Sequence, residues 1–279
     1  MAVTARLPVG DTSRRCMSSN RASQRAFLAI SALVFAASTA ITIVWCGSMA
    51  AMDGMPMPGG WTMSMAWMRM PEQTWAGAAT MFLGMWVAMM VAMMMPSLVP
   101  MLGRYRQAVG PSGGTQLGRL TALVGLGYFF VWTVFGMAAY PLGVALARAA
   151  MQQTAVSRAV PIAIGLVLLI AGAFQFSAWK RRHLVCCREM PGRCRTLPDD
   201  AATAWRHGLR LGLHCARCCA GLMAILLVLG VMDLRAMAVV AAAITVERVA
   251  PAGERVARAI GALSVGAGLF LIARVAGLG

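Results

Sequence analysis

Charge is scarce in this chain. Only 12% of its 279 residues are Asp, Glu, Lys or Arg, and just nine are acidic. No two carboxylates are placed for acid–base catalysis, and there is no Ser/His/Asp arrangement and no glycine-rich phosphate loop. An ATPase motif is missing too, so uphill pumping by this chain alone has no visible energy source. No basic stretch is interleaved with aromatic residues that would stack bases, which excludes nucleic acid as a partner despite a formal net charge of +16. Nothing in the sequence argues for an enzyme.

What the chain has instead is apolar length. Hydrophobic residues make up 59% of it and its mean hydropathy is +0.71, a membrane composition. Apolar runs lie at 26–46, 76–102, 120–147, 159–179, 209–232 and 256–273, with a shorter one at 236–246. A spanning helix takes about 20 residues. Six runs qualify outright, and the seventh spans only if Glu247 and Arg248 sit at its end, at the interface. The expected fold is all-α: a polytopic membrane protein of about seven transmembrane helices, with six as the alternative. One transmembrane domain over 26–279 follows a basic tail at 1–25. The first run is too long for an ordinary signal-peptide core and lacks a small-x-small cleavage site, so it reads as a retained helix.

The basic residues give an orientation. With seven spans and the N-terminus inside, 19 of the 25 Lys and Arg fall in cytoplasmic segments, the positive-inside pattern. The expectation is a multi-pass protein of a bacterial-type inner membrane, with a cytoplasmic N-terminus and an external C-terminus. A loop at 47–75 then faces outward and a Cys/His-rich loop at 180–208 faces the cytoplasm.

Sulfur is concentrated. Sixteen of the 24 Met lie within 49–101. Thioether sulfur is a soft ligand that suits Cu(I) far better than Mg, Ca or Mn. The alternative is that Met is flexible core filler. The spacing of Met81, Met85, Met89 and Met93 makes a stripe on the second helix, and Pro96 and Pro100 there, like Pro141 on the third, are expected to interrupt their helices.

Six of the eight Cys and all three His lie between 183 and 219. One group is His183, Cys186, Cys187 and Cys194 in the basic loop. The other is His214, Cys215, Cys218 and Cys219 on the fifth spanning helix, at about 0°, 100°, 40° and 140° around the axis, so one face can offer three thiols and an imidazole. Adjacent Cys do not readily bridge each other, and a reducing cytosol disfavours disulfides. Metal binding is the reading that accounts for the clustering of Cys with every His. A working thiol pair and simple packing remain the alternatives. Zn fits Cys and His ligands, whereas Cu(I) accounts for the Met as well. Arg217 lies between these thiols in sequence, where it can offset thiolate charge. Gly208 and Gly212 form a G-x-x-x-G that lets another helix approach the backbone.

The run Met85-Trp-Val-Ala-Met-Met-Val-Ala-Met-Met-Met-Pro96 resembles the second-helix signature of the DUF2182 family. The C-terminal block is similar too: Phe174-Gln-Phe-Ser-Ala-Trp-Lys180, then Gly208, Gly212-Leu-His-Cys215 and Cys218-Cys219, then Gly230-Val-Met-Asp-Leu and Glu247-Arg-x-x-Pro251-x-Gly253. The resemblance covers about 75–275. Members of that family are described as predicted metal-binding integral membrane proteins, some of them labelled copper chaperones, so it implies a helical membrane protein that handles metal. This chain has Ala178-Trp179 where the family has Pro-Leu, and Ala220 where it has Trp. Neither change removes a ligand.

Together these readings point to Cu(I) binding and transfer in a lipid bilayer, with a metal donor or acceptor protein as partner and zinc as the competing metal. A membrane thiol redox component and a structural subunit of a larger assembly are the alternatives. Oligomeric state leaves no signal in the sequence.

Overall fold

The computed structural model describes residues 9–50, 54–69, 72–109, 114–189 and 198–277, with side chains described for all of these except 9–21, 50, 114–115 and 185–189. The fold is all-α, as expected. Its described helices are α1 (Val9–Ala50), α2 (Trp75–Val109), α3 (Gly114–Gln152), α4 (Thr154–Gln175), α5 (Ala178–Glu189), α6 (Ala201–Leu229), α7 (Leu234–Val249) and α8 (Gly253–Val275). A two-stranded hairpin, β1 (Met55–Met57) and β2 (Trp61–Met63), precedes α2.

Among the described residues, six helices are long and apolar enough to cross a membrane: α1 from Ala22, α2, α3 from Gln116, α4, α6 and α8. Large apolar side chains point outward from them, among them Leu33, Val44, Leu263 and Phe270, a surface suited to a hydrocarbon environment. Hydroxyls on α1 return to their own helix, as Thr42 does to the Ser38 carbonyl at 2.8 Å.

Neighbour contacts fix the helix directions. Arg106 on α2 donates to Ser23 Oγ on α1 (2.7 Å), while Gly84, two-thirds of α2 away, faces Trp45, so these two run antiparallel. Trp86 Nε1 donates to the Trp132 carbonyl (2.8 Å) and Arg106 approaches Thr121, which makes α3 antiparallel to α2. α3 and α6 are parallel, with Gly208 against Val124 and Gly212 against Tyr128. α4 and α8 are antiparallel, with Gly172 on Gly261 and Gly165 on Gly268. Glycine is required at these crossings: a Cβ on Gly127 would lie 2.8 Å from the Trp205 carbonyl, and one on Gly172 would lie 2.8 Å from that of Gly261.

Since α6 and α8 run the same way, α7 must carry the chain back between them. Gly230 (φ 133°) ends α6, and Asp233 Oδ1 caps α7 by accepting from the Arg235 and Ala236 amides (2.8 and 3.1 Å). At 16 residues, α7 is about 24 Å long, short of the roughly 30 Å of a bilayer core. Among the described residues the bundle thus has six span-length helices and one shorter return helix, α7.

Four expectations need correction. Glu247 and Arg248 do not lie at an exposed surface: both are buried, at 1% and 5% exposure, because α7 ends inside the bundle against α2, α5 and α6. Pro96, Pro100 and Pro141 do not interrupt their helices but lie within continuous α2 and α3. The stretch 180–208 is not a loop throughout, since α5 occupies its start and α6 begins at Ala201. Within 47–75 the chain is folded: Trp61 Nε1 donates to the Ser157 carbonyl (2.9 Å) and Ser157 Oγ to that of Pro58 (2.8 Å), docking the hairpin on α4 and burying Met63 against Ala147 and Ala150.

Candidate metal centre

α6 begins at Asp200, whose side chain accepts from the Thr203 amide (2.8 Å); those Thr203 hydrogen bonds hold its carboxyl below the ordinary range. The helix then passes Gly208 and Gly212, whose missing side chains seat it on α3. That close approach brings Tyr128 of α3 to the level of Cys215, and Tyr128 Oη donates to Cys215 Sγ at 2.9 Å. The next turn carries Cys218 and Cys219, so all three thiols are buried in the bundle, and Cys215 Sγ lies 3.8 Å from Cys219 Sγ.

α2 supplies the other sulfurs. Met94 Sδ stands 3.9 Å from Cys215 Sγ. Arg248, from the end of α7, reaches across: Nη1 lies 3.1 Å from Cys215 Sγ and 3.0 Å from Ser97 Oγ, and Nη2 lies 3.8 Å from Met101 Sδ. A thiolate in an apolar interior needs a counter-charge, and this guanidinium supplies it. Arg217 does not: it is exposed, on the opposite side of α6 from the thiols.

Beside the thiols sits a buried ion pair. Lys180 Nζ on α5 is 2.7 Å from Glu247 Oε2 and 2.7 Å from the Cys218 carbonyl. Burial alone would pull the Lys180 ammonium down, but Cys218, Glu247 and Cys219 outweigh it and hold its pKa above the ordinary value. This pair clamps α5 and α7 to the α6 turn that carries the thiols.

The expected ligands are thus only partly brought together. Cys215, Cys218 and Cys219 share one buried turn. His214 does not join them; its ring lies toward His183 of α5, with centroids 6.1 Å apart. On the Met stripe, Met85, Met89 and Met93 are buried but Met81 is 53% exposed and its sulfur accepts from Gln73 Nε2. The side chains of Cys186 and Cys187, and Cys194 altogether, lie outside the described residues. Among the described residues no three His, Cys, Asp or Glu side chains form a ready cage for a metal ion. Sequence reasoning missed Met94, Met101, Tyr128, Ser97, Arg248 and the Lys180–Glu247 pair. Several of these stand within the motifs quoted above, in Met93-Met94-Met95, in Trp179-Lys180 and in Glu247-Arg248, and that was the available signal.

With this geometry in place, the comparisons with known proteins fall into line. A family model described as PpoB2, copper chaperone, matches residues 83–271. The match spans more than half of the chain, which belongs to this family, the same one as the DUF2182 family it resembles. No curated protein and no solved structure matches.

Proposed function

We propose that this protein is a membrane-embedded Cu(I) carrier, not an enzyme, that holds its cargo at Cys215 and Cys219 with Met94. The observation that carries the reading is the pair of sulfurs that flank Cys215. Metal–sulfur bonds of about 2.3 Å place the sulfurs of a trigonal site about 4 Å apart, and Cys215 stands 3.9 Å from Met94 and 3.8 Å from Cys219. Two thiolates and a thioether in an apolar pocket suit a soft monovalent ion. Zn would draw on Cys and His, and His214 is turned away from this site. The family's name supports a role in copper handling. The side of the bundle bearing α5 is the basic one, so the positive-inside pattern supports a cytoplasmic position for it and for the N-terminus in an inner membrane. A donor or acceptor protein would meet the chain there or at the hairpin end.

Competition with a calibrated Cu(I) chelator tests the reading. Wild type should retain one tightly held Cu(I) in preference to Zn(II), and the Cys215→Ser, Cys218→Ser, Cys219→Ser variant should lose it. Retained Zn without measurable Cu(I) binding would overturn the copper assignment. A Cys215–Cys219 disulfide that cycles with an added oxidant in copper-free protein would favour the thiol redox alternative.

A further inference from the structure

His183 and His214 lie apart from the thiols yet face one another across the α5–α6 seam. Each carries a mark of a ligand. His183 is half-buried and fixed on two sides: its ring lies against Trp179 at 4.0 Å between centroids, and its Nδ1 is 2.9 Å from the Trp179 carbonyl. A carbonyl can only accept, so Nδ1 carries the proton and the lone pair sits on Nε2. That is the arrangement a metal-bound imidazole adopts, with one ring nitrogen held by a carbonyl and the other left for the ion. His214 has the complementary mark: its Nδ1 is shielded from solvent and has no hydrogen-bond partner. A buried polar atom left in this way costs stability unless something else satisfies it.

The spacing fits a shared ion. With metal–nitrogen bonds of about 2.0–2.1 Å, two imidazoles on one ion have ring centroids roughly 5–6.5 Å apart, and these stand at 6.1 Å. Aromatic stacking explains the pairing of His183 with Trp179. It explains neither the second imidazole nor its empty nitrogen.

We infer that His183 and His214 form a second, nitrogen-ligated Cu(I) site, a hand-over position on the basic side of the bundle. His214 directly precedes Cys215, so an ion held by the imidazoles is one residue along α6 from the buried thiol. Two neutral nitrogens hold Cu(I) more weakly than two thiolates, which suits a position that must release the ion in either direction. The inference relies on the copper reading above only for the identity of the ion.

X-ray absorption on purified protein loaded with one and then two equivalents of Cu(I) tests it. Wild type should take both, with sulfur scatterers at the first and nitrogen added at the second. His183→Gln and His214→Gln should each weaken the second equivalent at least tenfold and remove the nitrogen signal, leaving the first intact. His183→Cys should keep two equivalents while exchanging nitrogen for sulfur, and it carries the test if the Gln variants do not accumulate. Nitrogen scattering that is absent from wild type, or that persists undiminished in both Gln variants, overturns the imidazole site and leaves the thiolate centre untouched. Sulfur scattering absent from wild type, with a His-dependent nitrogen signal retained, would instead overturn the thiolate centre and support this one.

Discussion

At the scale of single residues, Met is divided between two jobs, and position alone distinguishes them. Met94 touches Cys215, whereas Met85 and Met89 are buried in the wider core of the bundle. Met94→Leu keeps volume and apolarity, so folding should change by less than about 1.5 kcal/mol, while Cu(I) affinity should fall at least tenfold in the chelator competition. Met85→Leu with Met89→Leu should leave that affinity unchanged. Lys180 makes the opposite test. Lys180→Met strands Glu247 without its buried partner, and breaking such a pair costs about 3–5 kcal/mol. Thermal unfolding in detergent should reveal it, and Lys180→Met combined with Glu247→Leu should recover much of the loss. The thiols were legible in the sequence because helical spacing alone puts 215, 218 and 219 on one side. The same geometry misplaced His214, since about 140° separates it from Cys219 around the axis, and side chains so far apart do not reach one ion. Arg248 and Tyr128 were not legible at the site because their contacts cross 33 and 87 residues of chain, a separation that no local pattern encodes.

At the scale of elements, the decisive surface is the glycine-lined crossing of α3 and α6. The G-x-x-x-G at Gly208 and Gly212 announced a close approach, and the partner turned out to be α3, with Gly127 answering from the other side. Gly208→Leu would drive a side chain into the Val124 backbone, which has no rotamer to yield, and should cost at least ~1–3 kcal/mol. Gly103→Ala meets open space and serves as the control. Size-exclusion profiles of the two variants should separate them, with only the first losing its monodisperse peak. Two elements escaped the sequence reading. α5 is basic and polar, so hydropathy does not register it; what holds it in place is the Lys180–Glu247 pair. The hairpin forms because Gly59 and Gly60 take positive φ (107° and 75°) and let Trp61 fold back onto α4.

Across the whole molecule, the number of passes is decided by direction more than by length. α7 is too short to be counted as a span by hydropathy, yet α6 and α8 are aligned, so the chain must return between them. Reporter fusions at the two termini should therefore read opposite compartments, with the N-terminus cytoplasmic if the basic-residue bias sets the orientation. Reports from the same compartment would mean that α7 does not complete its pass in the bilayer.

The two seams that flank the thiols differ in their mechanical character. Where α6 meets α3, backbone lies on backbone, and there is no compliant layer between the two helices. Where α6 meets α2 and α7, the contact on Cys215 is made by the long side chains of Met94 and Arg248, the latter also reaching Met101. The first seam is a stator and the second a turnstile, so a carrier of the proposed kind would pass its ion by side-chain rotation while every helix axis stays put. Gln116 Nε2 approaches the Asp199 carbonyl at 3.3 Å, so a short bifunctional thiol cross-linker between Gln116→Cys and Asp199→Cys would lock α3 to the start of α6. Copper should load onto the locked protein as fast as onto the free one.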